Sequence, residues 1–557
     1  MRGPLGSEKT RVVVQRRHIS TTLLGALLAA MLAVPAIASG PRPVPNTAKG
    51  TPWGGWASLD TYARAKFLSL CPTERSCSGA NGNQQLQLLV QGSPAVPARL
   101  ISHPHTFVGN ARSIRVFAHD VKGLASARGV AKIRLDDPVE GQGNGVIQTG
   151  VAFPSLATLF PQVDNAPAAW SAGATGAGIG VAVIDTGVQD LPDFAGRVVH
   201  VNVSGSSAST TRADSDGHGT FVAGVLGGQS TDGKFIGIAP GVTIYAINIQ
   251  GADGSAYTSD VINALGWIRA NASADNIRVV NMSFSENDAS NYSADALDSA
   301  VEQLWQAGIV MVASAGNLGA NTNYFAPGND PFVITVGATD TNDTASTADD
   351  TQASFSSFGM TLDGWAKPEL LAPGRHVVAP LFPGSWGSQA PLANFLAPGY
   401  ASANGTSFAA PQVAGAAALL LQKNSKLSPD QVKWLLAHTS RVIDGTPGGA
   451  LDIGAAIAYG GKVDQANKGV QPAPPYVQIK KNGQVSFNSN VKGGWSAGGA
   501  IWNGDSSGNA AASWNAAASW NAAASWNAAA SWNAAASWNA AASWNAAASW
   551  NSASNWD

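Results

Sequence analysis

The chain has 557 residues, 62 Gly, 18 Trp and a formal net charge of −2; only 12% of residues are charged, about half the usual fraction of a soluble domain. That mild sum conceals a basic front, with 17 Lys and Arg against 7 Asp and Glu over residues 1–150, and an acidic remainder, with 16 against 28. An acidic body argues against nucleic-acid binding, which needs a concentrated basic face, and two cysteines exclude a disulfide-rich scaffold and most cysteine-ligated metal centres.

Arg11, Arg16, Arg17 and His18 precede an uncharged apolar run, Leu23 to Ala38, that closes on Ala36-Ile37-Ala38. This order predicts a secretory signal peptide over residues 1–38. The run is shorter than the ~20 residues of a spanning helix and contains Pro35, so a secreted, extracellular product is expected. Residues 39–60, rich in Pro, Gly and Thr, read as linker. Cys71 and Cys77 flank a short segment, as a small disulfide loop or as two free thiols; the sequence leaves both open. From Ser113 the run SIRVF alternates as a strand, Asp120 to Arg128 suits a short helix, and VAKIRL alternates again.

Strand-like runs then recur at Ile179–Asp185, Ile244–Ile249, Ile277–Ser283, Ile309–Ala315 and Val333–Ala338. Amphipathic helix patterns lie between them at Asp260–Ala270 and Ala294–Ala307. The alternation predicts an α/β fold: a doubly wound, mostly parallel sheet with helices on both faces. The apolar run Phe408 to Leu421 contains Pro411 and Gln412 and reads as a buried core helix. Ser428-Pro429-Asp430-Gln431 supplies a cap, a first-turn proline and a capping-box partner for the next helix. Near residue 460 periodicity fades into a stretch rich in Gly, Asn and Pro.

The chain finishes in a six-residue repeat, SWNAAA, with Trp from 514 to 556 at that period and Trp502 two periods earlier. Six residues advance an α-helix by about 600°, which scatters the rings in three directions. An extended conformation puts them on one face, and a disordered low-complexity tail is the alternative.

Three segments place a reactive side chain beside glycines at an element end. These are VAVIDTGV with Asp185, DSDGHGTFVAG with His218 and NGTSFAAPQVAG with Ser407. Ligand sites of open parallel sheets form outside the carboxyl ends of strands. A serine there needs a base: His218 takes its proton and Asp185 fixes the tautomer and stabilises the imidazolium. The helix N-terminus under Ser407 adds positive potential where an oxyanion develops. In this order the three segments resemble the signatures of the subtilisin-like serine proteases, the subtilases. The resemblance runs from Trp170 to about Gly460 and includes GIAPGVTIYAI, VVNMSFS, VMVASAGN and KPELLAPG.

The resemblance implies a serine endopeptidase acting on protein or peptide substrates through an acyl-enzyme, with no cofactor required for catalysis. Asp185, His218 and Ser407 match the triad, and Asn317 matches the side-chain oxyanion donor. Ser283, Phe284, Ser285, Ala315 and Phe325 match substrate-lining positions. Ser-Phe-Ser-Glu replaces the family's Ser-x-Gly-Gly, so side chains are expected to narrow the cleft, and Phe325 suggests a pocket for apolar or modest-sized P1 residues. Structural calcium is common in relatives; Asp193 matches one ligand position, and Asp232 or Thr231 stands in a loop lacking the usual Asn-rich pattern. SIRVFAHDVKGLASARGVAKIRLDD resembles the end of a subtilase propeptide, an intramolecular inhibitor whose removal is expected to cut between Asp137 and Pro154. The implied organisation is signal peptide 1–38, propeptide 39–150, subtilisin-like peptidase domain 151–460, linker 461–510 and repeat tail 511–557. Two competing readings are a maturation protease of narrow specificity and a surface-attachment protein whose Trp repeats bind a cell-wall or surface partner.

Overall fold

The computed structural model describes residues 59, 61–71, 77, 83–92, 109–141, 158–203, 213–251, 255–382, 385 and 399–488. The expected signal peptide, most of the 39–60 linker, the cleavage window beyond Gly141 up to Pro154 and the repeat tail lie outside the described residues.

A small front subdomain comes first: α1 (Thr61–Leu70), β1 (Gln85–Gly92), β2 (Ala111–Phe117), α2 (Val121–Ala125) and β3 (Val130–Leu135). Its strands form an antiparallel sheet in the order β2-β1-β3. The period of two along β1 divides its side chains between two cores. Leu86, Leu88 and Val90 join Phe67, Ile114, Val121, Leu124 and Ile133 in the subdomain's own core. Leu89, pointing the other way, enters the main core together with Ala111. The sheet therefore lies with one face on its own helices and the other on the body. Cys71 and Cys77 are joined in a disulfide, both buried in the small core. A short strand, β4 (Val139–Gly141), leaves this subdomain toward the body.

The body contains β5 (Gly180–Asp185), β6 (Val198–Asn202), α3 (His218–Gly227), β7 (Thr243–Asn248), α4 (Thr258–Asn271), β8 (Ile277–Met282) and β9 (Phe284–Glu286). It continues through α5 (Ala296–Gln306), β10 (Val310–Ser314), β11 (Ile334–Asp340), β12 (Leu370–Pro373), β13 (Val377–Pro380) and β14 (Tyr400–Ala403). Then follow α6 (Thr406–Lys423), α7 (Pro429–His438) and β15 (Gly449–Ala450). Among the described residues the main sheet runs β15-β12-β11-β10-β8-β5-β7-β6, all parallel, with Thr351–Gln352 antiparallel on β11. Every residue of β5 and β10 is buried, as expected for central parallel strands covered on both faces. From β5 the chain passes to the edge strand β6, returns to β7 between them, then crosses to β8 on β5's other side. That reversal opens a crevice at the carboxyl ends of β5 and β8.

The ends of the expected elements agree with the observed ones to within a few residues, but the expected linker does not. Residues 476–488 form a hairpin of β16 (Val477–Ile479) and β17 (Val485–Phe487). Tyr476, Val477, Ile479, Val485 and Phe487 are buried in the main core. Each strand is only three residues long, too short for its alternation to stand out from the surrounding Gly, Asn and Pro.

Candidate active site

Asp185 is the last residue of β5, delivered to the carboxyl edge of the sheet. His218 opens α3 after Gly217, whose φ of 108° favours glycine. The next residue, Gly219, is held so close to the loop after β5 that an added Cβ would lie 2.1 Å from the Gly187 carbonyl oxygen. This close approach brings the imidazole to the carboxylate: His218 Nδ1 lies 2.7 Å from Asp185 Oδ1, with both side chains buried. Asp185 Oδ1 also accepts the Thr186 N–H at 2.8 Å. With Nδ1–H directed at the carboxylate, Nε2 is the basic nitrogen. Burial alone would lower the His218 pKa, but the charge and hydrogen bond of Asp185, followed by the charges of Asp216 and Asp214, hold it above its ordinary value.

Ser407 is the second residue of α6, following Gly405 at the cap and Thr406. Its Oγ donates to the Ser283 carbonyl at 3.0 Å, and Ser283 Oγ donates to the Ser407 carbonyl at 2.8 Å. This reciprocal pair ties the start of α6 to the end of β8. The following residue, Phe408, sets its ring tilted against that of His218 with centroids 5.7 Å apart, so the first turns of α6 and α3 meet. Asn317 lies just beyond β10; its Oδ1 accepts both the N–H and the hydroxyl of Thr406 at 3.0 Å. The amide oxygen is thereby committed to the first turn of α6. Ala315 prolongs β10, donating its N–H to the Val336 carbonyl at 2.9 Å.

The Ser283–Glu286 edge receives a strand. β4 pairs antiparallel with β9, placing Val139 opposite Glu286, Glu140 opposite Ser285 and Gly141 opposite Phe284. On its other side Val139 N–H donates to the Ala256 carbonyl at 3.0 Å, and Thr258 N–H donates to the Asp137 carbonyl at 2.9 Å. Segment 137–141 is thus clamped between two extended edges, and at its far end an added Cβ on Gly141 would lie 3.1 Å from His218 Nε2. The expected narrowing by Phe284 and Glu286 does not prevent this pairing, because both side chains are buried and the backbone makes the ladder. Burial raises the Glu286 pKa well above the ordinary range, and Asp295 and Asp137 push it the same way. Phe325 is half-buried in the loop along the other edge of β9, where Glu286 N–H donates to the Ala326 carbonyl at 2.8 Å.

Two residues that organise the site were not singled out from the sequence. Asp214 is buried beneath the first turn of α3 and accepts from Thr186 Oγ1, Asp216 N, Gly217 N, Thr220 N and Thr220 Oγ1 at 2.6–3.0 Å. Burial lifts its pKa to about 6, and these donors oppose the rise. The signal was present in DSDGHG, an acid within four residues of the histidine. Tyr400 is the other: its hydroxyl donates to Asp193 Oδ2, and its ring stacks on Phe235 at 3.6 Å.

That contact bears on calcium. The Asp193 carboxylate is engaged by Tyr400. Asp232 accepts Ser230 Oγ at 2.7 Å and Lys234 N–H at 3.1 Å, with the Lys234 ammonium 3.4 Å away. Thr231 is exposed in the same turn. Calcium needs six to eight converging oxygens, and among the described residues no three His, Cys, Asp or Glu side chains converge as a metal site. The expected carboxylates, Asp193 and Asp232, are matched to O–H, N–H and ammonium partners and do not fit the ion.

Residues 176–471, more than half of the chain, match the family described as the subtilase family. The chain is 40% identical over 273 residues to serine protease AprX of Bacillus subtilis (strain 168), an alignment spanning 47% of this chain and 61% of that protein. It is 34% identical over 286 residues to subtilisin BL of Lederbergia lenta, spanning 51% of this chain and 90% of the relative. To alkaline serine exoprotease A of Vibrio alginolyticus it is 35% identical over 282 residues, spanning 49% and 45%. The chain therefore covers less than two thirds of AprX and of the exoprotease, and nearly all of subtilisin BL.

Proposed function

The chain belongs to the subtilase family, a family of serine endopeptidases, and we propose on that premise that it is a secreted protease made as a self-inhibited precursor. The reading rests on one observation above others: β4 lies along β9 and ends at the imidazole, the path a substrate strand takes to the nucleophile. The front subdomain is then the propeptide, and segment 137–141 is its inhibitory arm. The apolar run before Ala38 supports export.

In turnover, Ser407 Oγ exchanges the Ser283 carbonyl for His218 Nε2 and attacks the substrate carbonyl carbon as His218 takes its proton. Asp185 stabilises the imidazolium so formed. The oxyanion of the tetrahedral intermediate is met by the Asn317 NH2 and the Ser407 backbone N–H, which the helix ladder of α6 does not use. His218 returns the proton to the leaving amine, and water hydrolyses the acyl-enzyme by the same steps. Binding energy from strand pairing along β9 orients the scissile bond. Phe325 and Ala315 favour an apolar or modest-sized side chain before that bond.

The β4–β9 register supports a particular maturation point. β4 ends with Gly141 opposite Phe284, one position short of Ser283, whose carbonyl holds the nucleophile. The cut follows Gln142, and N-terminal sequencing of the mature enzyme is expected to begin at Gly143; a start outside 138–154 would contradict the arm's assignment. Ser407→Ala is expected to lower hydrolysis of casein and peptide anilides by about 10⁶-fold and to leave the precursor uncut. Substantial activity in that variant would sink the triad.

A further inference from the structure

The hairpin β16–β17 lies beyond the segment that matches the family, 176–471, and its position assigns it a task. One side is fastened to the enzyme body. Ile479 N–H donates to Gln303 Oε1 at 2.9 Å, and Gln303 Nε2 donates to the Val477 carbonyl. Tyr476 hydroxyl donates to the Ser293 carbonyl at 2.8 Å, and Ala473 N–H to Glu302 Oε2 at 2.7 Å. At the turn, Gly266 of α4 approaches so closely that a Cβ would lie 2.8 Å from the Gly483 carbonyl. The hairpin is thus bound to α4 and α5 together.

The other side meets the front subdomain. Phe487 donates its N–H to Asn110 Oδ1 at 2.8 Å. Its carbonyl accepts Gln91 Nε2 at 2.8 Å and Asn110 Nδ2 at 3.3 Å. The Arg134 guanidinium sits 5.4 Å above the Phe487 ring, within cation–π range. Gly109, at φ 59°, lets the two backbones touch: a Cβ there would be 2.0 Å from the Val485 carbonyl. One edge residue of the hairpin therefore has both backbone groups bonded by side chains from two front-subdomain segments and its ring covered by a third.

We propose that the hairpin at residues 476–488 is a docking element for the propeptide, and that it sets how long the cleaved propeptide stays on the enzyme. This rests on the reading of residues 59–141 as an inhibitory propeptide. The active-site arm alone is a short strand that ends at the cut. The hairpin contact lies on the body of the subdomain, survives cleavage and keeps the arm at high local concentration over the catalytic residues.

The test uses the full-length precursor carrying Gln91→Ala and Asn110→Ala, which leaves the mature enzyme's sequence untouched. After self-processing, co-elution of the front fragment with the enzyme and the lag before peptide-anilide hydrolysis are measured. Losing these polar contacts is expected to shorten the lag by roughly tenfold and to abolish co-elution, with kcat/KM of the matured enzyme unchanged. A wild-type lag that the double variant retains, with co-elution intact, overturns the hairpin's role alone. A wild-type enzyme with no lag, whose rate is unaffected by the front fragment, overturns both readings. Should the double variant yield no folded precursor, hydrogen–deuterium exchange on the wild type decides. The peptide containing Phe487 is expected to lose protection as the fragment departs while α6 keeps its own. Unchanged protection at Phe487 overturns the proposal.

Discussion

The imidazole of His218 is set by charges at three distances. Asp185 bonds it directly, whereas Asp216 and Asp214 act from the loop that leads into α3. Asp216 is half-buried and its Oδ1 accepts the His218 backbone N–H at 3.1 Å, a contact that an amide oxygen reproduces. Asp216→Asn therefore removes charge and little else. Because the Asp216 charge raises the His218 pKa, its loss lowers it, and the base stays neutral to lower pH. The acid limb of kcat/KM is expected to move down by a few tenths of a pH unit, read from a pH–rate profile; an upward move would show that the loop acts through geometry. The proposed triad could be singled out in the sequence because each member stands beside glycines at an element end and the three occur in order. Asp214 stood in DSDGHG without a visible role and Tyr400 carried no signal, because their roles exist only when folding buries one under α3 and brings the other against Asp193, about two hundred residues away in the chain.

Elements were legible where pattern and function coincide. The parallel strands read as apolar runs because both faces are covered, and α7 announced itself through its cap. Ser428 Oγ accepts the Gln431 N–H at 3.2 Å, and Gln431 Oε1 accepts the Ser428 N–H at 3.0 Å. With Pro429 at the first helical position, this closes the capping box expected from four residues. Ser428→Ala leaves a first-turn donor to solvent and is expected to cost about 1 kcal/mol of stability, measured as a fall in the denaturation midpoint with activity at 25 °C unaltered. The hairpin β16–β17 had no such local signature. Beyond their own short pairing, its two three-residue strands depend on partners remote in the chain, such as Gln303 for Val477 and Ile479 and Asn110 for Phe487. A stretch whose order comes largely from tertiary contacts reads as linker until those contacts are known.

At the scale of the whole molecule, the basic front and acidic remainder suggest simple attraction, yet the described interface gathers carboxylates from both sides. Asp136 of the front subdomain is buried, accepting Ser113 Oγ at 2.5 Å and, from the first turn of α4, Ser259 N–H at 2.9 Å and Ser259 Oγ at 2.8 Å. Burial raises its pKa, and these bonds with the Arg134 charge only partly oppose that. Asp137 is raised further, by burial and by the charges of Asp288 and Asp295 against the opposing charge of Lys66. Lys66 is itself bonded to Asp288 at 2.9 Å, with its pKa raised by that partner. A carboxyl whose pKa is higher in the docked state than when free takes up a proton on docking. Its contribution to affinity is complete below the free value, near 3.9 for aspartate, and is lost as pH rises through the docked value. Lys66 stays charged in both states below about pH 10 and does not offset the trend. On the proposal that the front subdomain is a cleaved propeptide, the fragment is expected to hold more tightly at pH 5 than at pH 8, so that the lag before activity shortens as pH rises. The measurement is that lag at constant ionic strength, normalised to the matured enzyme's own rate at each pH. A lag that lengthens or stays level with rising pH would contradict proton uptake at Asp136 and Asp137. Replacing both with Asn separates the causes: if these two carboxyls carry the effect, the variant's lag loses most of its dependence on pH while the matured enzyme, which contains neither residue, keeps the wild-type rate.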